Sequence, residues 1–262
     1  MKKVSIVGTT SWGTTLAMVL ARNGFQVVLL ARTSDEAMGL KRDKENKRML
    51  PGYHFPENIL VTASKDEALS DSSMVVFAVP SKSLRDNLRS LSYQIESDSM
   101  IVSATKGLEK GSAKRMRQIM SEELSEGLHA KICVLSGPNL ANEIASGKPA
   151  STVLASEDEE VAIQAQSLFM STKFRVYTSD DMVGVELGGS LKNIIALGAG
   201  ISDGLSYGDN GKAAFITRGL VEITRLGVAA GAHPMTFAGL AGLGDLIATC
   251  LLYTSPSPRD RG

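Results

Sequence analysis

An excess of charge of either sign is missing from this 262-residue chain. Lysine and arginine total 28, aspartate and glutamate total 28, and the formal net charge is zero. Such a chain has no field to draw it to nucleic acid or to an anionic membrane, so any anion it binds must be held locally. Cysteine is scarce as well: Cys133 and Cys250 are the only two, each in an apolar setting, and they build no disulfide framework. No stretch reaches the roughly 18 apolar residues of a membrane span. Met1-Lys2-Lys3 leads into only about five apolar residues before Gly8, too short for a signal peptide. The expectation is a soluble cytoplasmic protein with no nucleic-acid partner, no membrane span and no metal site.

What is present is an alternation of short apolar strands and helices. Lys3–Val7 is a β-branched run, Thr14–Arg22 reads as a helix stopped by Asn23-Gly24, and Gln26–Leu30 is a second buried strand. This is the strand–turn–helix–strand of a dinucleotide-binding unit, in which a pyrophosphate sits at the helix N-terminus. The G-x-G-x-x-G fingerprint is incomplete, with Gly8 and Gly13 in place and Thr10 at the middle position. A side chain there is expected to weaken or displace the cofactor, and a plain tight turn is the competing reading. Arg32, just past the second strand, stands where an acidic residue holds the ribose of NAD, and it suits a 2′-phosphate instead. Asp35 and Glu36 are near enough to serve the hydroxyl, so NADP and NAD both stay open.

Further along, Asp35–Lys44 reads as a charged surface helix and 45–58 as a polar connection. Strands follow at Met74–Val79, Met100–Ser103, Lys131–Leu135, Ala150–Ala155 and Lys173–Tyr177. Lys106 lies just past one strand end, at the sheet edge where open α/β sheets bind ligands. Ser136 or Asn139 is placed to cap a helix over 140–146. After about residue 180 the alternation gives way to glycine-rich helical segments, Val183–Ser202, Gly211–Gly231 and Pro234–Gly239. The glycines at 184, 188, 189, 198 and 200 suggest helices in close approach.

The stretch Val185–Asn193 puts Lys192 and Asn193 after a glycine pair and before the apolar run 194–197. The run predicts a buried helix, and a lysine entering one needs a partner or a task unless it snorkels to the surface. Asp245, between Gly244 and another apolar run, is either a helix cap or the partner of that lysine.

Several separate motifs together resemble the bacterial-type NAD(P)-dependent glycerol-3-phosphate dehydrogenases. They are Gly8–Ala17, Val79-Pro80-Ser81, Ala104–Glu109, Ser136–Gly147, Glu186–Asn193 and Ile201–Cys250, the last with Gly204–Asn210 and Gly239–Cys250. The resemblance spans residues 1–250. It implies a Rossmann-like NAD(P)-binding domain over 1–180 and a partial all-α substrate domain over 181–250. It implies NAD(P)H-dependent, reversible reduction of dihydroxyacetone phosphate to sn-glycerol 3-phosphate, for phospholipid synthesis. It places Gly8, Ser11, Trp12, Gly13, Arg32, Lys106 and Ala141 at the cofactor. It places Lys106, Gly137, Asn139, Lys192, Asn193, Asp245 and Thr249 around the substrate. By the same resemblance Lys192 is the proton donor and acceptor, with Lys106 and Asp245 beside it. Such a lysine works best when burial and a second cation lower its pKa. A homodimer is allowed for and not fixed.

Two departures bear on this expectation. Thr10 is one. The other is residues 251–262, where Pro256 and Pro258 forbid a continuing helix and the family's phosphate-gripping arginine motif does not occur. Arg259 is not in that motif. The expectation is a non-family tail on a truncated enzyme. The alternatives are a β-hydroxyacid dehydrogenase, which leaves Gly239–Cys250 unexplained, and a nucleotide-binding fragment without activity.

Overall fold

The computed structural model describes residues 2–250; the tail reading falls on 251–262, outside the described residues. The chain opens with β1 (Lys3–Val7), α1 (Ser11–Arg22), β2 (Gln26–Leu30) and α2 (Ser34–Asp43). Next come a small hairpin, β3 (Glu45–Asn46) and β4 (Leu50–His54), then β5 (Ile59–Thr62), α3 (Lys65–Leu69), β6 (Ser72–Phe77) and α4 (Ser81–Leu91). The alternation continues through β7 (Met100–Ser103), α5 (Met116–Glu123), β8 (Ile132–Ser136), α6 (Ala141–Ala145), β9 (Ala150–Ser156), α7 (Glu159–Phe169) and β10 (Phe174–Ser179). From there the described chain is helical: α8 (Met182–Gly204), α9 (Gly208–Ala229), α10 (Pro234–Ala238), a π-helical turn over Leu240–Gly244, and α11 (Asp245–Cys250).

Eight strands form one sheet in the order β10-β9-β8-β7-β6-β1-β2-β5, and every pair is parallel except β8 with β9. Parallel strands must be covered on both faces, which is why the central ones are apolar nearly throughout. Side chains alternate between the faces with period two. Met74 and Val76 of β6 join Ile6, Leu29 and Val102 in one core, with Leu16 and Leu20 of α1. Val75 and Phe77 join Val7, Val28 and Ile101 in the other, with Leu84 and Leu88 of α4. Met182, Val185 and Ala241 belong to this second core, so the start of α8 is packed into the sheet domain.

Two expectations need correction. The polar connection over 45–58 contains the β3–β4 hairpin, and the β5 strand follows it. Asn46 ties the hairpin down by donating to Thr9 O and Thr14 Oγ1, both at 2.8 Å. That anchor spans more than thirty residues and leaves no local pattern to read. The run 194–197 is not buried: Ile194 is 66% exposed and Leu197 68%. Over this stretch Ile195 packs against Gly219 of α9, and Ile195 and Ala196 pack against the cluster of Ala199, Leu246 and Cys250.

Candidate active site

The turn after β1 is built by its glycines. Gly8 has φ +112°, and a Cβ on it would lie 2.7 Å from Ala78 O; one on Gly13 would lie 2.1 Å from Gly8 O. Both are therefore needed for the turn to close on itself. Thr10 behaves differently from the fingerprint expectation. It is the N-cap of α1 at φ −66°, a conformation open to any residue, with Oγ1 accepting from Gly13 N (3.0 Å) and donating to Ala78 O (2.8 Å). Its side chain is folded back on the protein as a helix cap.

Ser11 and Trp12 begin α1, half-buried, and Ala141 of α6 packs nearby with its carbonyl accepting from Thr15 Oγ1. The Trp12 indole N–H is buried with no hydrogen-bond partner among the described residues. A buried donor left unmatched costs free energy, and a polar group of a bound dinucleotide is the kind of partner that would relieve it. Arg32 is exposed, and its backbone N–H donates to Glu36 Oε2 at 3.0 Å. Glu36 Oε1 accepts from Thr9 Oγ1 at 2.6 Å, so this carboxylate links the ends of β1 and β2. These features fit a nicotinamide dinucleotide lying along the strand ends.

Lys106, Lys192 and Asp245 meet where α8 and α11 cross the carboxyl ends of β7 and β8. Asp245, 2% exposed, lies between two lysines. Its Oδ2 accepts from Lys106 Nζ at 2.7 Å and its Oδ1 accepts from Lys192 Nζ. Lys192, 8% exposed, also donates to Thr249 Oγ1 at 2.8 Å, and Thr249 donates in turn to Asp245 O. Lys106 donates further to Gly137 O at 3.0 Å. Burial pushes the Lys106 ammonium down to about 8; Asp245 opposes the shift and Lys192 adds to it. Lys192 thus does not snorkel, and Asp245 is a lysine partner as well as the first residue of its helix.

The glycine pair before Lys192 admits protein on both sides. A Cβ on Gly188 would meet Ala241 O at 2.6 Å, and one on Gly189 would meet Ser136 Oγ at 2.4 Å. Ser136 Oγ and Asn139 Oδ1 are both buried without a partner among the described residues. Asn139 Nδ2 donates to Thr152 Oγ1 at 2.9 Å, and Leu140 is the N-cap of α6 without a side-chain hydrogen bond. Neither Ser136 nor Asn139 caps that helix: Ser136 Oγ lies against Gly189, and Asn139 is turned to Thr152. Asn193 is the sequence-picked residue that the fold leaves outside this group: it is exposed. A cleft of about 440 Å³ borders the site, lined by Pro138, Leu240 and Ala248 among others, without reaching the two lysines.

Sequence reasoning missed Asn46, which braces the glycine turn, and Glu186, whose buried carboxylate pairs with Arg115. Glu186 had a signal, an acid on the apolar approach to Lys192; Asn46 had none.

Comparison with known proteins fits this geometry. Residues 3–162 match the family model for the NAD-dependent glycerol-3-phosphate dehydrogenase N-terminus, and residues 181–261 match that for its C-terminus. A glycerol-3-phosphate dehydrogenase (NAD(P)+) of Dehalococcoides mccartyi is 56% identical over 251 residues, covering 95% of this chain and 70% of the relative. One from Corynebacterium glutamicum is 48% identical over 261 residues, covering 100% of this chain and 77% of the relative. The crystal structure of glycerol-3-phosphate dehydrogenase from Coxiella burnetii superposes with a TM-score of 0.89 at 38% identity, covering 99% of this chain and 77% of that one. A glycerol-3-phosphate dehydrogenase structure from Plasmodium falciparum gives 0.87 at 26% identity, covering 95% and 73%. With both family models matched in order over most of its length, the chain belongs to the NAD-dependent glycerol-3-phosphate dehydrogenases.

Proposed function

We propose that this chain reduces dihydroxyacetone phosphate to sn-glycerol 3-phosphate, reversibly, with Lys106, Lys192 and Asp245 as its catalytic residues. The observation that carries the reading is a buried carboxylate shared by two lysines at the carboxyl edge of a dinucleotide-binding sheet. The nicotinamide cofactor supplies the hydride. As the ketone carbon takes it, the carbonyl oxygen gains negative charge and must receive a proton. Lys192 is the proton donor, and gives up an N–H proton to that oxygen as the C–O π bond breaks. Thr249 and Asp245 hold its ammonium in place. Lys106, held on Gly137 O and Asp245, stabilises the same oxygen electrostatically. Ser136 Oγ and Asn139 Oδ1, buried and unmatched among the described residues, receive the substrate's hydroxyl.

Finer points belong to the same reading. Arg32 favours NADP over NAD. No described helix is long and apolar enough to cross a membrane, and the cytoplasm is the proposed site of action. The exposed Leu197 and Ile201 on α8 and Leu226 on α9 support a homodimer.

The test is turnover of dihydroxyacetone phosphate with NADPH and NADH. Lys192→Ala is expected to lower kcat by about 10²- to 10⁴-fold, the range for loss of a general acid. Undiminished turnover in that variant would remove Lys192 from the mechanism. Reduction is expected to decline as pH rises through about 8, where Lys106 loses its charge. A flat profile between pH 7 and 9 argues against Lys106 acting as a cation.

A further inference from the structure

Lys106 and Lys192 are joined by more than Asp245. Two neighbouring faces of α8 do different work. Gly188 and Lys192, four residues apart, face the π-turn and Asp245. Glu186 and Ser190, also four apart, face the segment 107–117 that follows Lys106. Residues at this spacing lie one above the other on a helix. Ser190 Oγ accepts from Gly107 N at 3.0 Å, the peptide next to Lys106, while its own hydroxyl donates to Glu186 O at 2.7 Å. The Glu186 side chain is 3% exposed; its Oε2 pairs with Arg115 Nη1, and its Oε1 accepts from Arg117 N at 2.7 Å.

The segment between these two anchors is a closed loop. Leu108 and Arg115 pair as a bridge, and Glu109 N donates to Lys114 O at 2.9 Å. Both ends of the loop are thus tied to α8, Gly107 through Ser190 and Arg115 through Glu186. Burial pushes the Glu186 carboxyl upward from its ordinary range, so an ionised glutamate here is expensive. An apolar side chain would fill the place at less cost, and would not fix a register. Glu186 touches neither lysine nor Asp245.

We propose that Glu186 is a positioning residue: with Ser190 it holds the 107–117 loop on α8, and so sets Lys106 against Asp245 and Lys192. This rests on the reading of those three side chains as the reacting centre. The groups facing Lys106 are Asp245 from α11 and Lys192 from α8. If the loop is released, Lys106 gains water, and desolvation is the largest influence on its protonation.

The experiment is competitive acetylation of the 262-residue chain with acetic anhydride across pH 6–11, reading Lys106 by mass spectrometry. Thermal melting and turnover of dihydroxyacetone phosphate with NADPH are run beside it. In Glu186→Gln the midpoint of Lys106 reactivity is expected to move up by about one unit or more, towards the ordinary lysine value of about 10.4. Ser190→Ala is expected to move it the same way by less. Where turnover is measurable, kcat falls more than KM rises. A lower melting temperature with an unmoved Lys106 midpoint means Glu186 only stabilises the fold, and overturns the proposal. If Glu186→Gln does not fold, Ser190→Ala decides: an unchanged midpoint overturns the proposal and a raised one supports it. A parent chain with no turnover contradicts the proposed function, while the acetylation comparison still decides the positioning role.

Discussion

Asp245 is a single buried side chain shared by two ammonium groups, that of Lys192 buried and that of Lys106 part-buried, and its removal is the sharpest test at residue scale. An amide in its place would offer one acceptor oxygen to two cations, and breaking a buried pair this way costs about 3–5 kcal/mol. Asp245→Asn is therefore expected to lose that much stability in urea denaturation at pH 7, along with turnover. Because Lys106 sheds its charge from about pH 8 upward, the loss should be smaller at pH 10. An equal loss at both pH values would mean the repulsion is not what destabilises the variant. At the carboxyl end of β1, Thr10→Ala removes an N-cap and is expected to cost about 1 kcal/mol, with Thr10→Gly costing only a few tenths. Neither should tighten NADPH binding by titration, since the hydroxyl already lies on Gly13 N and Ala78 O. The sequence placed Lys106, Lys192, Asp245 and Thr249 together through family motifs, and the fold brings these four into one hydrogen-bonded group. It could not show the direction of the Thr10 hydroxyl, because a fingerprint prescribes residue types and not which way a side chain turns. Nor could it show that Asn193, one position past Lys192, lies on the exposed side of the helix.

At the scale of elements, α8 carries glycines that look alike in sequence and differ in what they permit. Gly188 lets the backbone of the π-turn approach, with Ala241 O 2.6 Å from where a Cβ would stand, whereas Gly200 has open space. Alanine in a helix interior is favoured over glycine by about 0.8–1.0 kcal/mol, and an overpacked contact costs about 1–3 kcal/mol. Gly200→Ala should therefore raise stability and Gly188→Ala should lower it, measured by the same urea titration. Two changes of the same sign would mean that packing does not decide at one of these sites. The glycine density correctly suggested close helix approach at 184, 188 and 198, where Thr236, Ala241 and Phe215 stand against α8; at 189 the close neighbour is Ser136 at the end of β8, and at 200 there is none. A second element-scale contact ties α4 to the loop after Lys106: Arg85 donates to Glu109 at 2.6 and 2.9 Å and also pairs with Glu122 and Glu123. The Arg85 guanidinium, then the Ser112 hydroxyl, holds the Glu109 carboxyl down at about 2. A carboxylate with a depressed folded pKa stabilises above its unfolded value, and that stability is lost as pH falls through the folded one. The loop is thus expected to loosen as pH falls from about 4.5 towards 2. Protection of the Glu109–Lys114 amides, taken relative to intrinsic exchange at each pH, that does not fall over that range would contradict this.

For the molecule as a whole, burial is distributed very unevenly. Each face of the sheet has a large continuous core, whereas the helical part beyond α8's first turns has two small clusters, around Leu187, Ile223 and Phe237 and around Ala199, Leu246 and Cys250. The alternation of strands and helices was legible because parallel strands buried on both faces read as continuous apolar runs. The helical part was legible as helix and misread as buried, because an apolar run has the same sequence pattern whether or not a partner covers it. Ile194, Leu197, Ile201 and Leu226 remain exposed among the described residues. Each large apolar side chain left in water forgoes about 1.5–3 kcal/mol of burial, comparable in sum with the stability of a small domain. The boundary of firm packing therefore does not fall between strands and helices but inside α8. Met182, Val185 and Leu187 are buried before Lys192, and exposed residues follow it. Native-state hydrogen exchange should show amide protection close to that of β1, β6 and β7 over 182–192, falling steeply from about residue 194 onward through α9. Lys192 then sits at the last firmly held turn, with Asp245 and Thr249 reaching it from α11. Protection that stays uniform from 182 to 229 at the level of the central strands would sink this reading. Protection lost already at 182 would sink it from the other side, because Lys192 would then have no rigid base.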